Sequence, residues 1–437
     1  MTDADKARWQ RRLDSAIWLL VLVLAFGRFA HLGYGDLADW DESFHAWRAK
    51  VICLCGVWRD QSGLAFGGFL TATYPPLQIW ATAVLFQLFG FSEFAARFWS
   101  ALAGAGSVIV LFLMGRRLGR SQWTGLFAAL FLASVEYYAR YTRRGQLDAA
   151  YTFFTVVSLY GYVAYLDRLR IVGWRRVSAE RGAGGWLVLS GAALGVGWMS
   201  KMVLSAAAPA VAGGLGLYGW LRDRRRMGLL AATLFVAATF CILSRMKGLG
   251  ERLEAAVFDP GLAAASGDAV LKLALVLAGV AAVVAAPVFL VRPVQRFRVA
   301  ALAILTGVTV LFCAREIPGT FARPRGIEAR GWQQVRPWID SMDYRTLVFV
   351  GGDFGPAATY YLNGLNLNWH PDIVFASLPQ YDESRLTQLA ASRDSRIIVS
   401  KSWIEQRWTP EERARLLDRL ELLAGGSDFS IYRPRAE

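Results

Sequence analysis

Long stretches without charge constrain this chain more than any other feature. Residues 202–221 hold no charged side chain, and neither do residues 273–291. A helix that crosses a bilayer needs about 20 mostly apolar residues. Nine stretches approach that length: 15–33, 98–115, 121–138, 149–166, 182–200, 202–221, 227–244, 273–291 and 299–314. Hydrophobic residues make up 55% of the 437 and charged residues 19%. Ordinary soluble domains are about 45–50% apolar and about 25% charged. A disordered chain, a collagen and a typical cytosolic enzyme are therefore excluded. The first stretch is not read as a cleaved signal peptide, because Arg28 lies inside it and no small-residue cleavage site follows.

The net charge of +14 is unevenly placed. Residues 314–437 carry 16 basic and 16 acidic side chains, so the whole excess lies before them. With the N-terminus inside, the short cytoplasmic pieces 1–14, 116–120, 167–181, 222–226 and 292–298 hold 19 Lys and Arg. The outer loops 34–97, 136–148, 201 and 245–272 hold 12 over more than twice the length. The positive-inside rule then puts the N-terminus in the cytoplasm and the C-terminal segment outside. It also accounts for the basic balance, and a nucleic-acid partner is not expected. Residues 61–92 carry no charge. Counting Pro75 to Phe91 as a tenth span would invert every later loop, so this stretch is predicted to lie in the outer interface.

The expected fold is mostly α: a polytopic membrane domain over residues 1–314, with interfacial helices in its first outer loop, 34–97. A small soluble α/β domain follows over 327–437. Within it, 346–350, 396–400 and 428–432 read as strands and 411–423 as a helix with Pro410 at its start. Four Cys exclude a disulfide scaffold, and no Cys/His spacing matches a zinc site.

Candidate chemistry gathers in the outer loops. Asp36, Asp39, Asp41 and Glu42 cluster just after the first span. Asp41 reads either as the N-cap of a following helix or as a general base at the membrane surface. In the second outer loop, Arg140, Arg143 and Arg144 stand on the outer side, against the positive-inside trend, with Asp148 where the fourth span begins. Guanidinium groups match phosphate oxygens. The same residues also suit an Arg–Asp ion pair or snorkelling to headgroups. Lys201 is the one charge between Arg181 and Arg222. It sits at a tight outer turn, as an anchor or as part of a site.

The order of these features resembles one family. It comprises Asp41-Glu42 after the first span, Tyr74-Pro75-Pro76-Leu77 at a helix start, Arg143 to Asp148 with Thr152-Phe153-Phe154, and Ser200-Lys201. The stretch EFAARFWSALAG followed by GRRLG adds to it. The chain is similar to polyprenyl-phosphate-dependent membrane glycosyltransferases of the GT-C superfamily. Within them it most resembles the protein O-mannosyltransferase and aminoarabinose (lipid A) transferase group, glycosyltransferase family 39 type. The resemblance covers residues 15 to about 220.

The resemblance implies a polyprenyl-phosphate-linked sugar as co-substrate, Asp41 as catalytic base, with Glu42 beside it, and Asp148 as the carboxylate that organises the site. It also implies basic residues on the donor phosphate, for which Arg143, Arg144 and Lys201 are the candidates, with Tyr74 as a hydrogen-bonding partner. Aminoarabinose transferases carry Glu and Lys before the prolines, where this chain has Thr73 and Tyr74, and an Arg where it has Gln146. The Glu helps bind metal in that group, so the sequence leaves dependence on a divalent metal open. The expected activity is inverting transfer of a sugar to a lipid, glycan or protein acceptor at the outer face of a bacterial inner membrane. The alternative is a transporter or flippase of lipid-linked sugars. Transporters place their polar sites near mid-membrane on broken helices, whereas the charges here lie at the outer interface.

Overall fold

The computed structural model describes residues 2–38, 40–58, 61, 76–172, 181–201, 321, 330–352, 355–390 and 394–435. The expected spans 202–221, 227–244, 273–291 and 299–314, together with Asp39, Thr73, Tyr74 and Pro75, lie outside these residues.

The chain opens with α1, Asp3–Phe26, capped by a Thr2–Asp5 capping box. After a 3₁₀ turn and an irregular segment come α2, Asp41–Cys55, and α3, Pro76–Phe89. Next are α4, Glu93–Gly119, α5, Gln122–Ser134, α6, Glu136–Thr142, α7, Leu147–Val172, and α8, Arg181–Trp198. Among the described residues, α4 and the Leu147–Arg168 part of α7 are long and apolar enough to cross a membrane by length and composition. Ile17, Val21 and Leu24 of α1 pack on Val108, Phe112 and Leu126. The other face of α1 exposes Leu19, Leu20, Val23 and Phe26. A helix that is apolar on both its packed and its exposed face suits lipid rather than water. The described part of the chain is mostly helical.

Close helix contacts depend on small residues. A Cβ added at Gly125 would stand 2.5 Å from the Phe112 carbonyl oxygen. Glycine therefore lets α5 approach α4 at backbone distance. The expected span 121–138 is divided. It ends as a helix at Ser134, Val135 is extended (φ −67°, ψ 109°), and α6 starts at Glu136.

Near the C-terminal end the elements are α9, Trp332–Asp340, β1, Thr346–Val350, α10, Pro356–Tyr361, β2, Val374–Ser377, α11, Glu383–Ala390, and β3, Ser395–Ser400. Helices α12, Lys401–Arg407, and α13, Pro410–Asp418, and strands β4, Leu420–Gly425, and β5, Phe429–Pro434, complete the chain. The sheet order is β2-β1-β3-β5-β4. The β2-β1-β3 half is parallel and the β3-β5-β4 half antiparallel. The helix expected over 411–423 stops at Asp418. Residues from Leu420 onward pair with β5, and that ladder overrides the helical spacing.

Side chains of β1 alternate between two cores, as strand geometry requires. Val348 and Val350 pack with Ile397 and Leu416 on one face. Leu347 and Phe349 belong to a second core that also holds Trp47 and Ile52 of α2, Ile79 and Phe86 of α3, and Ala95 and Ala96 of α4. Trp47 meets Trp369 edge-on with ring centroids 5.2 Å apart. Lys50 is fully buried at this junction, donating to the Tyr360 carbonyl and lying over the Phe91 and Tyr360 rings. Burial pushes its ammonium pKa down to about 8. The first loop and the sheet thus share one continuous core.

Candidate active site

The four acids of the first loop separate into different roles. Asp36 is 3% exposed, and its carboxylate accepts hydrogen bonds from the backbone N–H groups of Gly331, Trp332 and Gln333 at 2.8–3.1 Å. Asp39 lies outside the described residues. Glu42 is 1% exposed and pairs with Arg97 at 2.7 Å. Its Oε1 also accepts from Gly145 N–H at 3.0 Å and its Oε2 from Ala38 N–H at 2.8 Å. Burial raises the Glu42 pKa, but the Arg97 charge and these hydrogen bonds outweigh it and hold the group below the usual carboxylate range. Both carboxylate oxygens of Glu42 are thus occupied inside the protein.

Asp41 stands differently. It is exposed, at the first position of α2. Among the described residues its carboxylate has no hydrogen-bond or ion-pair partner. It is not the N-cap: that position belongs to Trp40, which makes no side-chain cap bond. Trp40 has φ 70° and ψ −120° and is 76% exposed. A bulky residue at positive φ is strained, and such strain collects at ligand-contacting sites.

Glu42 also fixes where the second outer loop lies. Gly145 rests on α4 so closely that a Cβ there would be 2.9 Å from the Ala96 carbonyl oxygen. Ser100 of α4 donates to the Gln146 carbonyl at 3.0 Å. The loop carrying Arg143, Arg144 and Asp148 is thereby anchored beside the loop carrying Asp41. Asp148 lies in the first turn of α7, where the helix dipole favours a carboxylate. It pairs with Lys201 at 2.7 Å, both side chains about one third exposed. His45 of α2 is buried, and its pKa falls to about 3 through burial and the positive charges of Arg48 and Lys201. The Asp148–Lys201 pair and the Gly145–Glu42 bond thus link the segments that carry Lys201, Asp148 and Glu42.

Arg143 is 2% exposed and donates to the carbonyls of Ala139 and Ala30. It ties the second loop to the end of the first span, and in this arrangement it presents little surface to a ligand. Arg144 is half-buried. Tyr74 falls outside the described residues. Among the described residues no group of three or more His, Cys, Asp or Glu comes together in a way that could hold a metal ion.

Comparison with known proteins follows the same outline. Residues 61–246 match the family model described as dolichyl-phosphate-mannose-protein mannosyltransferase. The matched stretch contains Asp148 and Lys201, whereas Asp41 and Glu42 precede it. An undecaprenyl phosphate-alpha-4-amino-4-deoxy-L-arabinose arabinosyl transferase of Pseudomonas paraeruginosa is 29% identical over 231 residues, 52% of this chain and 39% of that one. A second transferase of that name, from Pseudomonas fluorescens, is 31% identical over 194 residues, 43% of this chain and 33% of its own. The matches span well under half the length of these relatives. The crystal structure of ArnT from Cupriavidus metallidurans in the apo state aligns over 98% of both chains at 16% identity, with a TM-score of 0.46.

Sequence reasoning missed Arg97 and Tyr361. Arg97 carried a legible signal: it is a lone cation at the boundary between an interfacial stretch and a span. An intramembrane or boundary charge in such a place calls for a buried partner.

Proposed function

We propose that this protein is a membrane glycosyltransferase. It moves a sugar from a polyprenyl-phosphate-linked donor to a lipid, glycan or protein acceptor at the outer face of a bacterial inner membrane. The carrying observation is the division of the first-loop acids. Asp36 and Glu42 are spent on internal bonds, which leaves Asp41 exposed next to Glu42, whose carboxylate holds Gly145 three residues before Asp148. The family match and the names of the transferase relatives support the reading.

In this mechanism the acceptor hydroxyl attacks the anomeric carbon while Asp41 takes its proton. The polyprenyl phosphate leaves, and negative charge grows on its bridging oxygen. Lys201 and Arg144 stabilise that charge, with Asp148 holding the Lys201 ammonium in place. Arg143 supports the same loop from within. Direct displacement with one base inverts the anomeric centre.

Undecaprenyl phosphate binding tests the donor half of this reading. Loss of a charge-assisted hydrogen bond costs about 1.5–3 kcal/mol. Lys201→Ala and Arg144→Ala are each expected to weaken binding of undecaprenyl phosphate to the purified protein by about 10–100-fold. Equal affinity in both variants would assign these residues to headgroup anchoring instead.

Orientation is tested separately. Because the sheet shares its core with α2, Gln380 belongs on the side that carries Asp41. In a background lacking the native cysteines, an impermeant thiol reagent added to intact cells is expected to label Gln380→Cys and not Arg224→Cys. Labelling of Arg224→Cys alone would invert the topology.

A further inference from the structure

Residues 32–38 join the first span to the segment bearing Asp41, and they form no helix or strand beyond a turn. Their shape is set by hydrogen bonds from two sides. From the membrane helices, Arg97 donates to the carbonyls of Leu32, Tyr34, Gly35 and Asp36 at 2.8–3.2 Å. From the C-terminal elements, the start of α9 grips the Asp36 carboxylate. A helix N-terminus leaves backbone N–H groups without partners. The residue in the cap position is Gly331, with φ 103°, which has no side chain to offer. Asp36 supplies the cap from almost 300 positions earlier in the chain. Gln333 returns the contact, its side-chain amide donating to the carbonyls of Gly33 and Gly35.

Tyr361 closes the arrangement. Its hydroxyl accepts the Leu37 N–H at 2.9 Å and donates to Glu93 at 2.8 Å. Its ring stacks on Trp332 with centroids 5.3 Å apart. Glu93 sits one helical turn before Arg97 and also faces Arg336 at 3.6 Å. The next bonds lead straight into α2: Ala38 N–H goes to Glu42, Ser43 N–H to the Ala38 carbonyl, and Phe44 N–H to the Trp40 carbonyl.

We propose that the C-terminal sheet unit braces the active-site loop, with Asp36 and Tyr361 as positioning residues that set where Asp41 stands. The catalytic part rests on the reading of Asp41 as base. The physical case is that Trp40 holds a strained backbone next to that residue, and strain of this kind persists only when the surroundings over-determine it. Just before it, the Asp36 carboxylate and the Leu37 N–H take their partners from the C-terminal elements. An unbraced segment would relax Trp40 and shift the first residue of α2 relative to the loop that Glu42 holds at Gly145.

Amide hydrogen exchange on the full-length protein in detergent tests the brace without reference to activity. Tyr361→Phe keeps the ring stacking and removes only the hydroxyl, and Asp36→Asn keeps the side-chain shape while weakening the cap. Loss of one buried hydrogen bond is expected to speed exchange of the amides of residues 41–45 at least about fivefold in Tyr361→Phe, with the transmembrane helices as protected as in the wild type. Unchanged protection of residues 41–45 in both variants would overturn the brace. Donor kinetics add the catalytic readout: kcat is expected to fall in Tyr361→Phe while the donor KM stays constant. A wild-type kcat with faster exchange would overturn the positioning role. Failure of the base reading looks different, since Asp41→Asn would then retain full activity at wild-type protection.

Discussion

Replacing Asp41 by Asn is expected to lower kcat by about 10²–10⁴, the usual scale for losing a general base, while leaving a folded protein that still binds undecaprenyl phosphate. The structure separates this effect from a stability effect. Asp41 is exposed, makes no cap bond, and has no bonded partner among the described residues. The substitution costs folding only the helix-dipole interaction of an exposed carboxylate, about 0.3–1 kcal/mol. Steady-state kinetics alongside a thermal melt checks the prediction. A near-normal kcat would remove Asp41 from the chemistry. A melt lowered as far as the activity would assign it a structural role.

Arg97 should show the opposite pattern. Arg97→Met removes the charge and keeps much of the volume, so it strands Glu42 as a buried anion and leaves four backbone carbonyls without their donor. Breaking a buried ion pair from one side costs about 3–5 kcal/mol. That is a large part of the about 5–15 kcal/mol by which typical proteins are stable. Low yield and a strongly lowered melting temperature are expected for Arg97→Met and for Glu42→Gln. The double variant Arg97→Met/Glu42→Gln is expected to recover part of the loss, because it removes both charges together. Additive losses in the double variant would show that the two side chains act independently.

These two residues also mark what the sequence made legible. The apolar stretches and Arg-rich turns pointed to helices at 98–115, 149–166 and 182–200, and α4, α7 and α8 lie over them. Strand β1 is found over 346–350, where an apolar run is buried on both faces of the sheet. The loop order pointed to Asp41, Asp148 and Lys201, and Asp148 and Lys201 meet. What could not be read was the use made of each acid. Asp36, Asp41 and Glu42 are chemically alike and adjacent, and their roles differ only through partners far along the chain: Gly331 for Asp36, Arg97 and Gly145 for Glu42. Local spacing carries no information about such contacts. Arg143 was hidden for a related reason. Its position in an outer Arg cluster suggests a phosphate ligand, but folding turns it inward onto two carbonyls. The reading of Asp41 as an N-cap failed at Trp40, whose positive φ starts α2 without a capping side chain.

The central claim is that this chain transfers a lipid-carried sugar using Asp41. Mass spectrometry of lipids, glycans and proteins from a deletion strain tests it most directly, with the strain complemented either by the wild-type gene or by Asp41→Asn at equal protein level. The account predicts a sugar-mass increment on one class of envelope molecule that is absent in the deletion strain, restored by the wild type and not restored by Asp41→Asn. Restoration by Asp41→Asn, or envelope profiles identical with and without the gene, would contradict it.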